Sequence, residues 1–132
     1  MRNGAYSQGT MKDLLNALKS LADETRLRIL YLILQRECCV CEVMQVLGIS
    51  QSRASRNLTM LYDAGFLTMR KQSLWVYYSI NQDFSPVFLA TLTKAISEAL
   101  ADDKQAVKDL KSLAQSVRVV CCLKGHCEKT NE

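Results

Sequence analysis

Apolar residues recur at three-and-four spacing in six stretches, the third of them short and ended by a glycine turn, and two alternating stretches follow the fourth. Together these predict a mainly α chain: a winged helix-turn-helix with a two-stranded wing and additional N- and C-terminal dimerisation helices. At 132 residues the chain can bury one core, and no linker, repeat or low-complexity run divides it. One domain over 1–132 is expected, with a core over 11–100, an extra helix over 101–120 and a cysteine-bearing tail over 121–132.

Met11, Leu14, Leu15, Leu18, Leu21 and Ala22 form the stripe of the first helix. Asp23 can cap the second, in which Leu27, Leu30, Tyr31 and Leu34 face inward while Arg26, Arg28 and Arg36 stay wet. The stretch Glu37-Cys38-Cys39-Val40-Cys41-Glu42-Val43 opens a short third helix that runs to Gly48, the residue type that tolerates the left-handed step ending a helix. Ser50 caps the fourth, with Ala54, Leu58 and Leu61 inside and Gln51, Ser52, Ser55, Arg56 and Thr59 on the opposite face.

That polar face has the character of a recognition helix, because short polar side chains and Arg near a helix N-terminus can enter a major groove and reach base edges. Gly65 ends the helix. Phe66 to Arg70 and Leu74 to Ile80 are then two strands about the tip Lys71-Gln72-Ser73, which sets Arg70 and Lys71 against phosphate or the minor groove. Trp75 and Tyr77 read as wing packing. Ser85-Pro86 starts a fifth helix with the stripe Phe88, Leu89, Leu92, Ala95, Ile96, Ala99 and Leu100. A sixth carries Ala106, Val107, Leu110, Leu113, Ala114 and Val117. Two such stripes exceed the needs of so small a core, and the surplus predicts a homodimer that presents two recognition helices to successive turns of double-stranded operator DNA.

The net charge of +4 matters through its distribution. Residues 1–36 carry +3, residues 37–49 carry −2, residues 50–80 carry +3 and the rest balance. The basic excess falls on the presumed groove-reading segment. The first ten residues are polar and no run approaches the roughly eighteen apolar residues of a membrane span, so a cytoplasmic protein with no membrane partner is expected. The chain has no phosphate-binding glycine loop and no Cys-His nucleophile arrangement, which argues against an enzyme or a catalytic cofactor.

In a reducing compartment six cysteines are a poor disulfide framework, and adjacent pairs are poor bridging partners. Three thiols within four residues at a helix N-terminus, which lowers thiol pKa, suit a soft, thiophilic ion. Cys121, Cys122 and Cys127 form a second thiol cluster near His126, the only histidine.

At this point the chain resembles the ArsR/SmtB family of metalloregulatory repressors over roughly residues 11–100. Leu21 to Leu30 resembles the family's opening signature, Glu37 to Val43 its arsenic-box pattern E-L-C-V-C-D-L, Leu47 to Ser52 its entrance to the recognition helix and Trp75 to Tyr78 its returning wing strand. The resemblance implies a homodimeric transcriptional repressor, released from operator DNA when As(III) or Sb(III) binds as inducer. The box cysteines fall on Cys39 and Cys41. Met44 stands where a third cysteine is common, leaving Cys38 as the local candidate for the third ligand and Cys121, Cys122 and Cys127 as the distant set. The alternatives are a thiol-redox-responsive or a cadmium- or zinc-responsive winged-helix regulator.

In an intact helix, residues two apart point to nearly opposite sides, so Cys39 and Cys41 reach one ion only if binding distorts their turn. That distortion is the expected switch, since this helix supports the recognition helix.

Overall fold

The computed structural model describes residues 9–83 and 86–117. Its elements are α1 (Met11–Leu21), α2 (Glu24–Gln35), β1 (Cys38–Cys39), α3 (Val40–Leu47), α4 (Gln51–Asp63), β2 (Leu67–Gln72), β3 (Trp75–Ile80), α5 (Phe88–Leu100) and α6 (Lys104–Ala114). The expected winged helix-turn-helix is present as α3, the turn, α4 and the β2–β3 hairpin.

Local signals set most boundaries. Thr10 and Asp13 exchange side-chain bonds with each other's N–H at 3.1 and 3.0 Å, a capping box that satisfies two donors at the start of α1. Asp23 and Ser50 accept from the N–H groups of Arg26 and Arg53 at 3.0 and 3.2 Å, capping α2 and α4 as expected. Gly48, at φ 69°, ends α3 in the left-handed conformation, and Gly65, at φ 99°, turns the chain from α4 into the wing.

α2 is the axis of the molecule, with every residue from Ile29 to Ile33 buried. Of the three arginines expected to stay wet, Arg36 is exposed, but Arg26 and Arg28 are half-buried and held by other elements. Arg26 is half-buried and donates to the Ser20 carbonyl and, at 3.0 Å, to Asn57 of α4. Arg28 grips both carboxylate oxygens of Asp109 on α6 at 2.9 and 3.0 Å.

The sheet has three strands where two were expected, in the antiparallel order β1-β3-β2. The added strand is the first half of the cysteine stretch: Cys38 pairs with Tyr78 and Cys39 with Tyr77. Across the wing, Gln72 pairs with Trp75, so the hairpin turns at Ser73-Leu74, with Ser73 at φ 60°, rather than at Lys71-Gln72-Ser73. Lys71 and Gln72 are drawn into β2 because their backbone groups pair with β3.

The fifth helix also starts later than expected. Ser85 lies outside the described residues, and the Pro86 and Val87 carbonyls accept from the Leu89 and Ala90 N–H groups in a tight three-residue step into α5. The stripe of α6 is divided, with Val107, Ala114 and Val117 exposed. Ala106 and Leu113 are buried and Leu110 packs on the core, so α6 lies on α2 and α3 of its own chain. An exposed apolar face lies on α1, where Met11, Leu14, Leu15 and Leu18 are all solvent-accessible.

Candidate thiol site and nucleic-acid interface

Cys39 is the N-cap of α3, in extended conformation at φ −96° and ψ 169°. It belongs to a strand, and side chains alternate along a strand. Cys38 therefore points into the main core among residues such as Leu30 and Tyr78, its Sγ 3.4 Å from the Arg36 carbonyl. Cys39 points to the other face and meets Cys41, in the first turn of α3, with 2.8 Å between the sulfurs.

The expectation that the turn must distort to bring these two thiols together is thus corrected: strand pairing holds Cys39 outside the helix, and the pair is already assembled. Around it lie Tyr77, Met44 and Trp75, in an apolar cluster separate from the main core.

The pair is nearly inaccessible, each cysteine 1% exposed. Its hydrogen bond to Cys41, and then burial, push the Cys39 thiol well above the usual thiol range. The lowering expected of a helix N-terminus is outweighed, because a thiolate here has little water to solvate it. A soft ion that binds here must displace the Cys39 thiol proton.

A second group of bonds fixes the backbone beneath the sulfurs. Glu42, 3% exposed, accepts from the Cys39 N–H at 2.9 Å and from Arg36 at 3.0 Å. Arg36 continues to the Leu113 carbonyl at the end of α6, at 3.2 Å. One turn further along α3, the Gln45 amide exchanges hydrogen bonds with the Val117 backbone. The box helix is therefore tied to α6. The cap-x-x-Glu spacing from Cys39 to Glu42 was readable as a capping box with a thiol in the cap position. Cys121, Cys122 and Cys127 lie outside the described residues.

The sheet register links the thiols to the wing. Cys39 of β1 is opposite Tyr77 of β3, and Tyr77 is opposite Arg70 of β2. The Arg70 guanidinium lies 4.4 Å from the centre of the Tyr77 ring and makes two bonds to Glu37 at 2.7 and 2.8 Å, which raise its pKa. Ser79 also donates to Glu37, at 2.8 Å. The wing arginine expected to meet DNA is thus held by the residue that opens the cysteine stretch.

On α4, Ser52, Arg56 and Thr59 are exposed, Gln51 and Ser55 partly so, and Ala54, Leu58 and Leu61 fully buried. Lys71 is exposed on the wing. Arg53, which was not among the expected residues, is also exposed on α4 and reaches the Thr25 hydroxyl at 3.3 Å. It sits at the margin of the polar face beside buried Asn57, so helical spacing alone gave it no clear side. Among the described residues no helix is long and apolar enough to cross a membrane.

Residues 23–68, which run from the cap of α2 into β2, match the family model described as "Bacterial regulatory protein, arsR family". The chain is 39% identical over 112 residues to the arsenic resistance transcriptional regulator ArsR2 of Pseudomonas putida, covering 81% of this chain and 96% of that one. It is 41% identical over 91 residues to the arsenical resistance operon repressor of Escherichia coli, covering 68% and 74%. Among solved structures, the homodimeric winged helix-turn-helix domain Mb0332 of Mycobacterium bovis aligns with a TM-score of 0.58 and 29% identity, covering 71% of this chain and 82% of that one. With the fold, the matched segment and relatives that are regulators rather than enzymes in agreement, the chain belongs to the ArsR family of DNA-binding transcriptional regulators.

Proposed function

We propose that this protein is a homodimeric repressor that occupies operator DNA and leaves it when trivalent arsenic or antimony binds Cys39 and Cys41. The observation that carries the reading is the assembled thiol pair, sulfurs 2.8 Å apart at the N-cap of α3, one helix before α4. Thiolates hold soft ions well. The arsenical resistance repressors among the relatives support the choice of ion.

Ser52, Arg56 and Thr59, flanked by Gln51 and Ser55, face the major groove, and Lys71 with Arg70 meets the phosphates. The exposed apolar face of α1 joins two copies, so that two α4 helices dock together. Bond formation at the sulfurs shifts Cys39, and the row Cys39–Tyr77–Arg70 carries that shift across the sheet to the wing, while the α3 backbone carries it to α4. A coupling of about 1–3 kcal/mol weakens DNA binding roughly 5- to 150-fold, enough to release the operator without unfolding.

The test is an arsenite titration of the reduced protein on operator DNA. Wild type is released, whereas Cys39→Ser and Cys41→Ser bind DNA normally and stay bound. Release of the double variant at the wild-type arsenite concentration overturns the assignment and moves the sensor to Cys121, Cys122 and Cys127. Retention of the response in excess reductant separates ion binding from the redox reading, which uses the same pair of thiols.

A further inference from the structure

Among the described residues, two sulfurs meet at this site. Among the described residues no three His, Cys, Asp or Glu side chains converge in a way that could hold one metal ion. Cys38 is buried on the opposite face of β1 in the main core. Glu42, on the same turn, is engaged with the Cys39 N–H and Arg36. Tyr77 packs against the pair, with Met44 and Trp75 partly buried beside it.

Donor number discriminates between arsenic species. Inorganic arsenous acid has three exchangeable hydroxyls and is fully converted to thiolate bonds only by three thiols. A monosubstituted species R–As(OH)2, with one valence committed to carbon, is saturated by two. Its R group also brings apolar surface that a wall of Tyr77, Trp75 and Met44 can cover.

We infer that the Cys39–Cys41 pair takes monosubstituted trivalent arsenicals in preference to inorganic arsenite, with the carbon substituent against Trp75, Met44 and Tyr77. The inference rests on the proposal that these two cysteines are the ligands. Each thiol hydrogen leaves with one arsenic hydroxyl as water: two As–O and two S–H bonds break, two As–S bonds form and two waters depart. Arsenic stays trivalent and no oxidant or reductant takes part. The partly buried Trp75 and Met44 side chains are the part of the wall that can move aside to admit the ligand.

Trp75 is the chain's single tryptophan, so its fluorescence reports on this site. Full-length reduced protein carrying Cys121→Ser, Cys122→Ser and Cys127→Ser is titrated with phenylarsine oxide and with arsenite, beside wild type and a Cys39→Ser/Cys41→Ser double variant. The expected result is one phenylarsine oxide per tail-substituted chain, bound at least roughly tenfold more tightly than arsenite, since burying part of a phenyl ring is ample for one decade of affinity. The double variant loses this fluorescence response. Phenylarsine oxide should also release the tail-substituted chain from operator at lower concentration than arsenite does. Arsenite binding as tightly as the aryl probe in the tail-substituted chain overturns the preference while leaving the two ligands standing. Arsenite binding that matches the aryl probe only while the tail thiols are present also overturns it, in favour of a three-thiol site. A response to both probes that survives in the double variant overturns the ligand assignment itself.

Discussion

Replacing Glu42 with alanine takes away the acceptor that holds Cys39 at the start of α3. The Cys39 N–H, bonded at 2.9 Å beside a residue 1% exposed, is left without that partner, and an unsatisfied buried donor costs about 1–3 kcal/mol. The ion pair with Arg36 adds little, because the Arg36 side chain is 39% exposed and rewets; pairs of this kind contribute about 0.2–1 kcal/mol. The expected loss is therefore about 1–4 kcal/mol. With a urea slope near the middle of the usual range of about 1–3 kcal/mol/M, the midpoint of unfolding falls by roughly 1 M. Glu42→Gln keeps an amide oxygen for the Cys39 N–H and gives up only the ion pair, so it should lose less than about 1 kcal/mol. Folded Glu42→Ala should also respond to arsenite more weakly, its thiol pair no longer held in place, while its operator affinity in the absence of arsenite stays near wild type. Equal unfolding midpoints for the Ala and Gln variants would show that the cap bond does not anchor Cys39, and the reasoning fails.

Arg56→Ala should weaken operator binding and relax its sequence preference, losing about 1–3 kcal/mol of discrimination if it reads a base edge, whereas Lys71→Ala should weaken binding to all sequences alike and lower the salt slope by about one ion. Binding titrations over a range of salt and operator variants check both, and a sequence-specific defect in Lys71→Ala contradicts the groove assignment. Leu15→Glu places a charge in the exposed apolar face of α1 and should yield a folded monomer with little operator affinity, read by sedimentation. A dimer that survives this change locates the interface elsewhere.

Much of the helix-turn-helix was legible in the sequence because its boundaries are local events. Asp23 and Ser50 cap the next turn with their own side chains, Gly48 and Gly65 permit backbone angles that other residues resist, and the three-and-four spacing of Ala54, Leu58 and Leu61 fixes the inner face of α4. The resemblance carried by the box and the wing strand was also written in short runs of residues. What the sequence did not disclose was decided by contacts between distant parts of the chain. Cys38-Cys39 has the local character of a helix start, yet becomes a strand because Tyr77 and Tyr78, far along the chain, offer it a sheet edge. That pairing moves Cys39 out of the helix, turns Cys38 into the core and brings Cys39 against Cys41, so the geometry of the thiol pair follows from tertiary structure rather than helical periodicity. The grip of Arg28 on Asp109 likewise ties α6 to α2, a contact that the apolar stripe of α6 did not disclose. Periodicity shows that a face must be covered; only the packed chain decides what covers it.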